Sequence, residues 1–283
     1  MTRILVADDD RTTCLLLSEI LRAQKFTVVT ASDGAAALKK MKDGKFDLVL
    51  LDVWMPKMNG LEVLAKMRQS KTRPKVIVMT SDDTPETLLG AIREEAYHYI
   101  SKPVEPKELV ALVQETLAKK TEAPPIEVIS ARPTWVELLV SCSLEEAERI
   151  EGFMSRLKTG LPDDVRRAVG QAFHELLLNA VEWGGKLDAS RKVRISYLRA
   201  KRMLMYRIAD PGPGFKFSEL DHAAISHSPD DPTVHDAIRQ QKGLRPGGFG
   251  LLMTQANVDE LLYNEAQNEV VFVKYLDEGT SGQ

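Results

Sequence analysis

Carboxylates, a hydroxyl and an amine fall at the ends of short apolar runs in the first part of this chain. Asp8, Asp9 and Asp10 follow "RILVA", Asp52 follows "FDLVLL", Thr80 ends "KVIVMT" and Lys102 ends "YHYISK". Carboxylates gathered at one point repel one another unless a cation sits among them. An all-oxygen set favours Mg²⁺, which accepts one or two carboxylates together with waters and a phosphate oxygen. An ammonium and a hydroxyl nearby would complete a nest for a phosphoryl group carried on a carboxylate. A lone Asp at a strand end often caps the next helix instead, but four chemically matched strand ends point away from that reading. Asp10, an extra acid, reads as solvated rather than liganding.

A second set lies further on. In "AFHELLLNAVEW", Glu175 and Asn179 are four residues apart and so share one helix face. Asn is a mediocre helix former, since its side chain competes for backbone hydrogen bonds. Val169, Ala172, Phe173, Leu176 and Ala180 make an apolar stripe, while Gln171, Glu175, Asn179 and Glu182 make a polar one. Taken alone, the polar stripe is a solvated face. Two later segments change that: "ADPGPGF" sets Asp210 before Gly212 and Gly214, and "RPGGFG" brings Gly247, Gly248 and Gly250 just ahead of a helical run. Glycines let backbone N–H groups approach phosphates, and helix N-termini favour anions.

The elements that must position these groups divide into two patterns. "RILVA", "FTVVT", "FDLVLLDV", "KVIVMT" and "YHYISK" read as five buried strands alternating with five helical stretches. Such alternation predicts an α/β doubly wound five-stranded parallel sheet, with its working crevice beyond the carboxyl ends of the strands. "KKTEAPP" then breaks the pattern at Pro124 and Pro125. After it, strand-like "IEVISA", "TWVELLVS", "KVRISYLR", "MLMYRIAD" and "EVVFVKYL" surround two long helical patterns over 144–157 and 163–183, which predicts an α+β sandwich. The expected domains are 1–120 and 126–283, joined by a linker over 121–125.

Composition narrows the function classes. The chain has 283 residues, enough for about two domains, with 43% hydrophobic and 28% charged residues. A net charge of −3 offers no general attraction to nucleic acid or an anionic membrane. Cys14 and Cys142 are the two cysteines, too few for a disulfide framework. No signal-peptide pattern or membrane-length apolar run is visible, so a cytoplasmic protein is expected.

"VADDD", "LLDVWMPKMNG", "VMTS" and "YISKPV" together resemble the response-regulator receiver domain, whose fold is flavodoxin-like. The resemblance implies that Asp52 is the phosphoacceptor and that Asp8, Asp9 and Asp52 hold Mg²⁺. It implies further that Thr80 and Lys102 contact the phosphoryl oxygens and that Tyr99 is an aromatic switch. From residue 126 onward the three segments resemble the N box and two glycine boxes of the GHKL (Bergerat-fold) ATPases. By that resemblance Asn179 binds the Mg²⁺ on ATP, Glu175 is a general base and Asp210 accepts from the adenine amino group. Gly212 and Gly214 would flank the base, Gly248 and Gly250 would cover the triphosphate, and 216–246 would form a lid carrying Arg245. His174, facing away from Glu175, reads as structural.

The compact module is similar to the anti-sigma-factor serine kinases of partner switching, with Trp183 where His is common and a longer lid as departures. That similarity implies a serine/threonine protein kinase output, a STAS-type anti-sigma antagonist or a sigma factor as partner, and an upstream histidine kinase acting on Asp52. Related modules usually pair as homodimers. The alternatives are an ATP-gated sequestering protein without phosphotransfer and a hybrid histidine kinase. A DNA-binding output is disfavoured, because nothing after Pro125 reads as a basic recognition helix.

Overall fold

The computed structural model of the protein describes residues 2–67, 74–82, 84–118, 126–132, 134–157, 160–215 and 250–276. Gly247, Gly248, Arg245, the expected lid over 216–246 and the linker over 121–125 lie outside the described residues. The chain divides into two compact units, Met1–Ala123 and Pro124–Gln283.

In the first unit, strands β1 (Arg3–Ala7), β2 (Thr27–Ala31), β3 (Leu48–Asp52), β4 (Lys75–Thr80) and β5 (His98–Ser101) all pair in parallel. Their order is β2-β1-β3-β4-β5, the doubly wound sheet expected from the sequence. Helices α1 (Arg11–Ala23), α2 (Gly34–Asp43), α3 (Gly60–Met67), α4 (Pro85–Arg93) and α5 (Pro106–Ala118) make the crossovers. Helices on both faces explain why the strands show no polar alternation: every residue of β3 is buried. One core joins Ile4, Val6, Leu50, Ile77, Met79 and Ile100 of the sheet to Leu17 and Leu21 of α1 and Leu109 and Val113 of α5. Each such side chain contributes about 1.5–3 kcal/mol by leaving water. The sheet order reverses between β1 and β3, which opens a crevice at their carboxyl ends.

The second unit holds a six-stranded antiparallel sheet in the order β10-β11-β9-β8-β7-β6. Its strands are β6 (Glu127–Arg132), β7 (Trp135–Ser141), β8 (Lys192–Ala200), β9 (Met203–Ala209), β10 (Glu260–Tyr263) and β11 (Glu269–Tyr275). Along β9 every second residue is buried, as a sheet with one covered face requires. The covering helices are α6 (Leu144–Arg156) and α7 (Asp163–Asn179). The apolar stripe of α7 lies in the core: Val169, Ala172, Phe173 and Leu176 are all buried, as is Ala180 just past the helix. Phe173 meets Tyr206 of β9 at 5.2 Å between ring centroids, and Tyr206 stacks on Phe272 of β11 at 4.9 Å. That ring cluster seats α7 on the sheet.

Two elements differ from the sequence reading. The expected helix over 163–183 is α-helical to Asn179 and then widens into a π turn, Ala180–Gly184. The helical run after Gly250 forms as helix α8 (Gly250–Asn257), and beyond it the chain makes strand β10, which is absent from the strands expected from the sequence. Asp259 draws the chain onto the sheet edge there: its carboxylate accepts from Tyr275 N at 2.6 Å and pairs with Lys274 at 2.9 Å.

Candidate functional site

The carboxyl edge of the parallel sheet gathers the first set of groups. Lys102 Nζ lies 2.7 Å from Asp8 Oδ2 and 3.1 Å from Asp52 Oδ1. One carboxylate oxygen each from Asp8, Asp9 and Asp52 falls within 4.8 Å of the others. Asp8 and Asp52 are buried, whereas Asp9 is exposed at the rim. Asp10 stands apart as the cap of α1, accepting from Thr12 N at 3.0 Å and Thr13 N at 3.2 Å. Burial pushes the Asp52 carboxyl up to about 6 against the pull of Lys102, with Asp8 and Asp9 adding repulsion. Burial opposes the charge on Lys102, yet Asp8 and Asp52 together hold its ammonium above the ordinary range. Three acids around one amine leave an excess of negative charge in a partly dry crevice. An all-oxygen set of this kind fits a hard divalent cation.

Thr80 is buried at the end of β4, and its hydroxyl accepts from Asp82 N at 3.0 Å. Tyr99 is buried as well, and its hydroxyl donates to the Asp82 carbonyl at 2.9 Å. The Asp82 carboxylate takes Thr87 Oγ1 at 2.7 Å, Thr84 N at 3.1 Å and the indole of Trp54. One residue therefore joins Thr80, Tyr99 and the loop after Asp52. Spacing along the chain shows no such junction, because Trp54 and Asp82 meet only once β3 and β4 pair.

The second set assembles around the C-terminal half of α7. Glu175 and Asn179 are half-buried on its polar side. Helix α8 runs along that side, where Asn257 Nδ2 donates to Gln171 Oε1 at 3.1 Å. Gly250, the first residue of α8, lies so close to the Glu175 carboxylate that any side chain there would displace it. Asp210 follows β9, and its Oδ1 accepts from Gly212 N at 2.7 Å. The Asp210 carboxylate is held between Gly184 and Gly212, each without room for a Cβ. Burial raises the Asp210 carboxyl above its ordinary range, only partly countered by Gly212 N–H and Arg191. An acceptor so placed fits a ligand that offers an N–H donor, and the bare backbone around it fits close approach by a flat group. Gly214, at φ 86, completes the turn.

Gly184 had not been singled out from the sequence. It ends the π turn that begins one residue after Asn179, so helix widening brings it against Asp210. Trp183 beside it is half exposed. His174 points elsewhere, with Nδ1 2.9 Å from Glu151 on α6. Cys142 is buried under Gly185, and burial pushes its thiol up to about 11.

Comparison with known proteins follows the same division. Residues 4–114 match the response regulator receiver domain, and residues 141–274 match the histidine kinase-like ATPase domain. The DNA-binding response regulator MtrA of Mycolicibacterium smegmatis is 32% identical over 202 residues, covering 70% of this chain and 87% of its own. The chain belongs to the response regulators. The transcriptional regulatory protein PhoP of Bacillus subtilis is 37% identical over 123 residues, 44% of this response regulator and 51% of PhoP. A CheY-like receiver domain from Methanospirillum hungatei JF-1 superposes with a TM-score of 0.41 at 30% identity, covering 42% of this chain and 94% of that one. The regulator thus joins a receiver to an ATPase-type output domain. Among the described residues no helix is long and apolar enough to cross a membrane.

Proposed function

We propose that this response regulator takes a phosphoryl group on Asp52 and thereby controls an ATP-dependent serine/threonine protein kinase in its second unit. The observation that carries the output reading is the pairing of Glu175 and Asn179 on the α8-facing side of α7, with Gly250 bare against Glu175. Bound Mg²⁺–ATP supplies the transferable phosphoryl group and the positive charge that screens it. The residues of the chain do the rest. Asp210 accepts the amino group of the base, and Gly212 and Gly214 flank the ring. Asn179 ligates the metal, while Gly250, and by resemblance Gly248, bring backbone N–H groups to the phosphates. Glu175 takes the proton from an incoming serine or threonine hydroxyl.

At the receiver, Asp8, Asp9 and Asp52 hold Mg²⁺, and Lys102 and Thr80 meet the phosphoryl oxygens. When the Thr80 hydroxyl turns towards that group it gives up Asp82 N–H, and Asp82 in turn holds Tyr99 and Trp54. Phosphorylation thus acts on a junction that links the site to α4. The phosphodonor is an upstream histidine kinase. The protein substrate is a small STAS-type antagonist, with a sigma factor as the competing partner, in a cytoplasmic partner-switching circuit and with the output unit working as a homodimer.

The test uses the full chain with γ-labelled ATP and the STAS-fold protein encoded nearest to it. Acid-stable label on serine or threonine, lost in Glu175→Ala while ATP still binds, is the expected result. A nucleotide-dependent complex that never acquires label would replace the kinase with a sequestering protein. Acid-labile label passing to Asp52 would make it a hybrid histidine kinase.

A further inference from the structure

The turn that carries Asp210 is fastened to the β10–β11 hairpin at four successive points. Asp210 N donates to Asn268 O at 2.9 Å, so the turn leaves the end of β9 directly beside the start of β11. Asn268 Nδ2 then donates to Gly212 O at 2.9 Å. Gly214 rests on the Ala266 carbonyl with no space for a Cβ, and Phe215 meets Tyr263 edge-on at 5.8 Å. Asn268 is itself fixed: Asn264 Nδ2 donates to its Oδ1 at 2.8 Å, and its own N–H donates to Asn264 Oδ1 at 3.1 Å.

Gly212 is the residue this arrangement immobilises. The peptide before it is pinned at both ends, since Arg191 donates to Pro211 O while Gly212 N donates to Asp210 Oδ1. The peptide after it is pinned by Asn268 alone among the described hydrogen bonds. Glycine has the widest backbone freedom of any residue, so both peptides must be held if its N–H is to aim the Asp210 carboxylate. The amide of Asn268 supplies the second hold, with its rotamer set by Asn264.

We propose that Asn268 is a positioning residue for base recognition: by holding the Gly212 carbonyl it keeps the Asp210 carboxylate directed at the exocyclic amino group of adenine and against the oxygen of guanine. The inference rests on the nucleotide site proposed above. A carboxylate aimed at that position gains a hydrogen bond from adenine and meets an acceptor in guanine, so its placement sets the preference between them. A hairpin asparagine with a merely structural role would affect melting and leave that preference untouched.

The full chain and its Asn268→Asp and Asn268→Ala variants are titrated with ATP and with GTP by calorimetry, alongside thermal melts. Asn268→Asp keeps the acceptor for Asn264 but turns the donor at Gly212 O into a charged acceptor, so it breaks the hold on that carbonyl even where the alanine variant unfolds. The expected result is a fall of roughly tenfold in the ATP-to-GTP affinity ratio, with ATP weakened and GTP little changed. A wild-type ratio in folded variants overturns the role of Asn268 and leaves the nucleotide site standing. A wild-type chain that binds ATP and GTP equally also overturns it. A wild-type chain that binds neither overturns the nucleotide reading itself.

Discussion

A methyl group at position 212 probes the nucleotide site from inside. In Gly212→Ala the new Cβ would stand 2.7 Å from Asp210 Oδ1, 2.9 Å from Gly184 O and 3.0 Å from Gly184 Cα. Carbon contacts are comfortable at about 3.5 Å and beyond. The Asp210 carboxylate must therefore retreat by roughly 0.7 Å or more, and the Gly184 backbone by roughly half an ångström. The carboxylate can rotate, whereas the π turn that ends at Gly184 cannot easily give. Overpacking of this kind costs about 1–3 kcal/mol of stability. The larger effect falls on binding, because Asp210 leaves the line of a charge-assisted hydrogen bond worth about 1.5–3 kcal/mol. That converts to an ATP affinity about 10- to 100-fold weaker. Calorimetric titration of the full chain with ATP and Mg²⁺, beside a thermal melt, reads both quantities. Gly152→Ala is the control: nothing lies within 4 Å of its Cβ, and in the interior of α6 it should stabilise by about 1 kcal/mol with affinity unchanged. A folded Gly212→Ala protein that binds ATP as tightly as wild type would refute the placement of Asp210 at the base.

Gly250→Ala drives a methyl into the Glu175 carboxylate, the free end of a flexible side chain. Stability should barely change while phosphotransfer to the protein substrate falls about 100-fold, as misplacement by about 1 Å does; wild-type turnover would remove Glu175 from the reacting centre. Phe173→Ala empties the ring cluster beneath α7 and should cost about 3–5 kcal/mol in urea unfolding. A loss below about 1 kcal/mol would mean that other contacts seat that helix. Glu269 receives Arg207 Nε at 2.7 Å and Nη2 at 2.6 Å, and this pairing holds its carboxyl below its ordinary value of 4.5. The folded value is depressed, so this stabilisation is present above 4.5 and disappears as pH falls through the lower folded value. The melting gap between wild type and Glu269→Gln should accordingly close on acidification below 4.5, and a gap of constant size would contradict the pairing.

The two units differ in how openly their sequences announce structure, and the difference is physical. In a parallel sheet each βα unit repeats the same direction, so every strand ends on the same edge. Asp8, Asp52, Thr80 and Lys102 therefore had to converge once five strands were recognised, and the five-stranded sheet forms with the expected elements. Asp82 is silent in the sequence because Trp54 follows β3 and Tyr99 lies in β5, and no spacing along the chain joins either to it. The antiparallel unit offers less. Period alone sorts α7 into apolar and polar faces, but it does not say what lies over the polar one. The answer depends on α8, whose Asn257 reaches Gln171, and on Gly250 opposite Glu175. Strand β10 is four residues long, follows a helix without a glycine or proline stop, and is held as a strand by Asp259 pairing across to β11. Gly184 reads as an ordinary helix terminus until the π turn swings it against Asp210. In this unit the side chains with chemistry were visible, while the residues that aim them act across the fold. That is why Asn268, distant from Asp210 in sequence and bonded to its turn in space, is the more discriminating place to test the site.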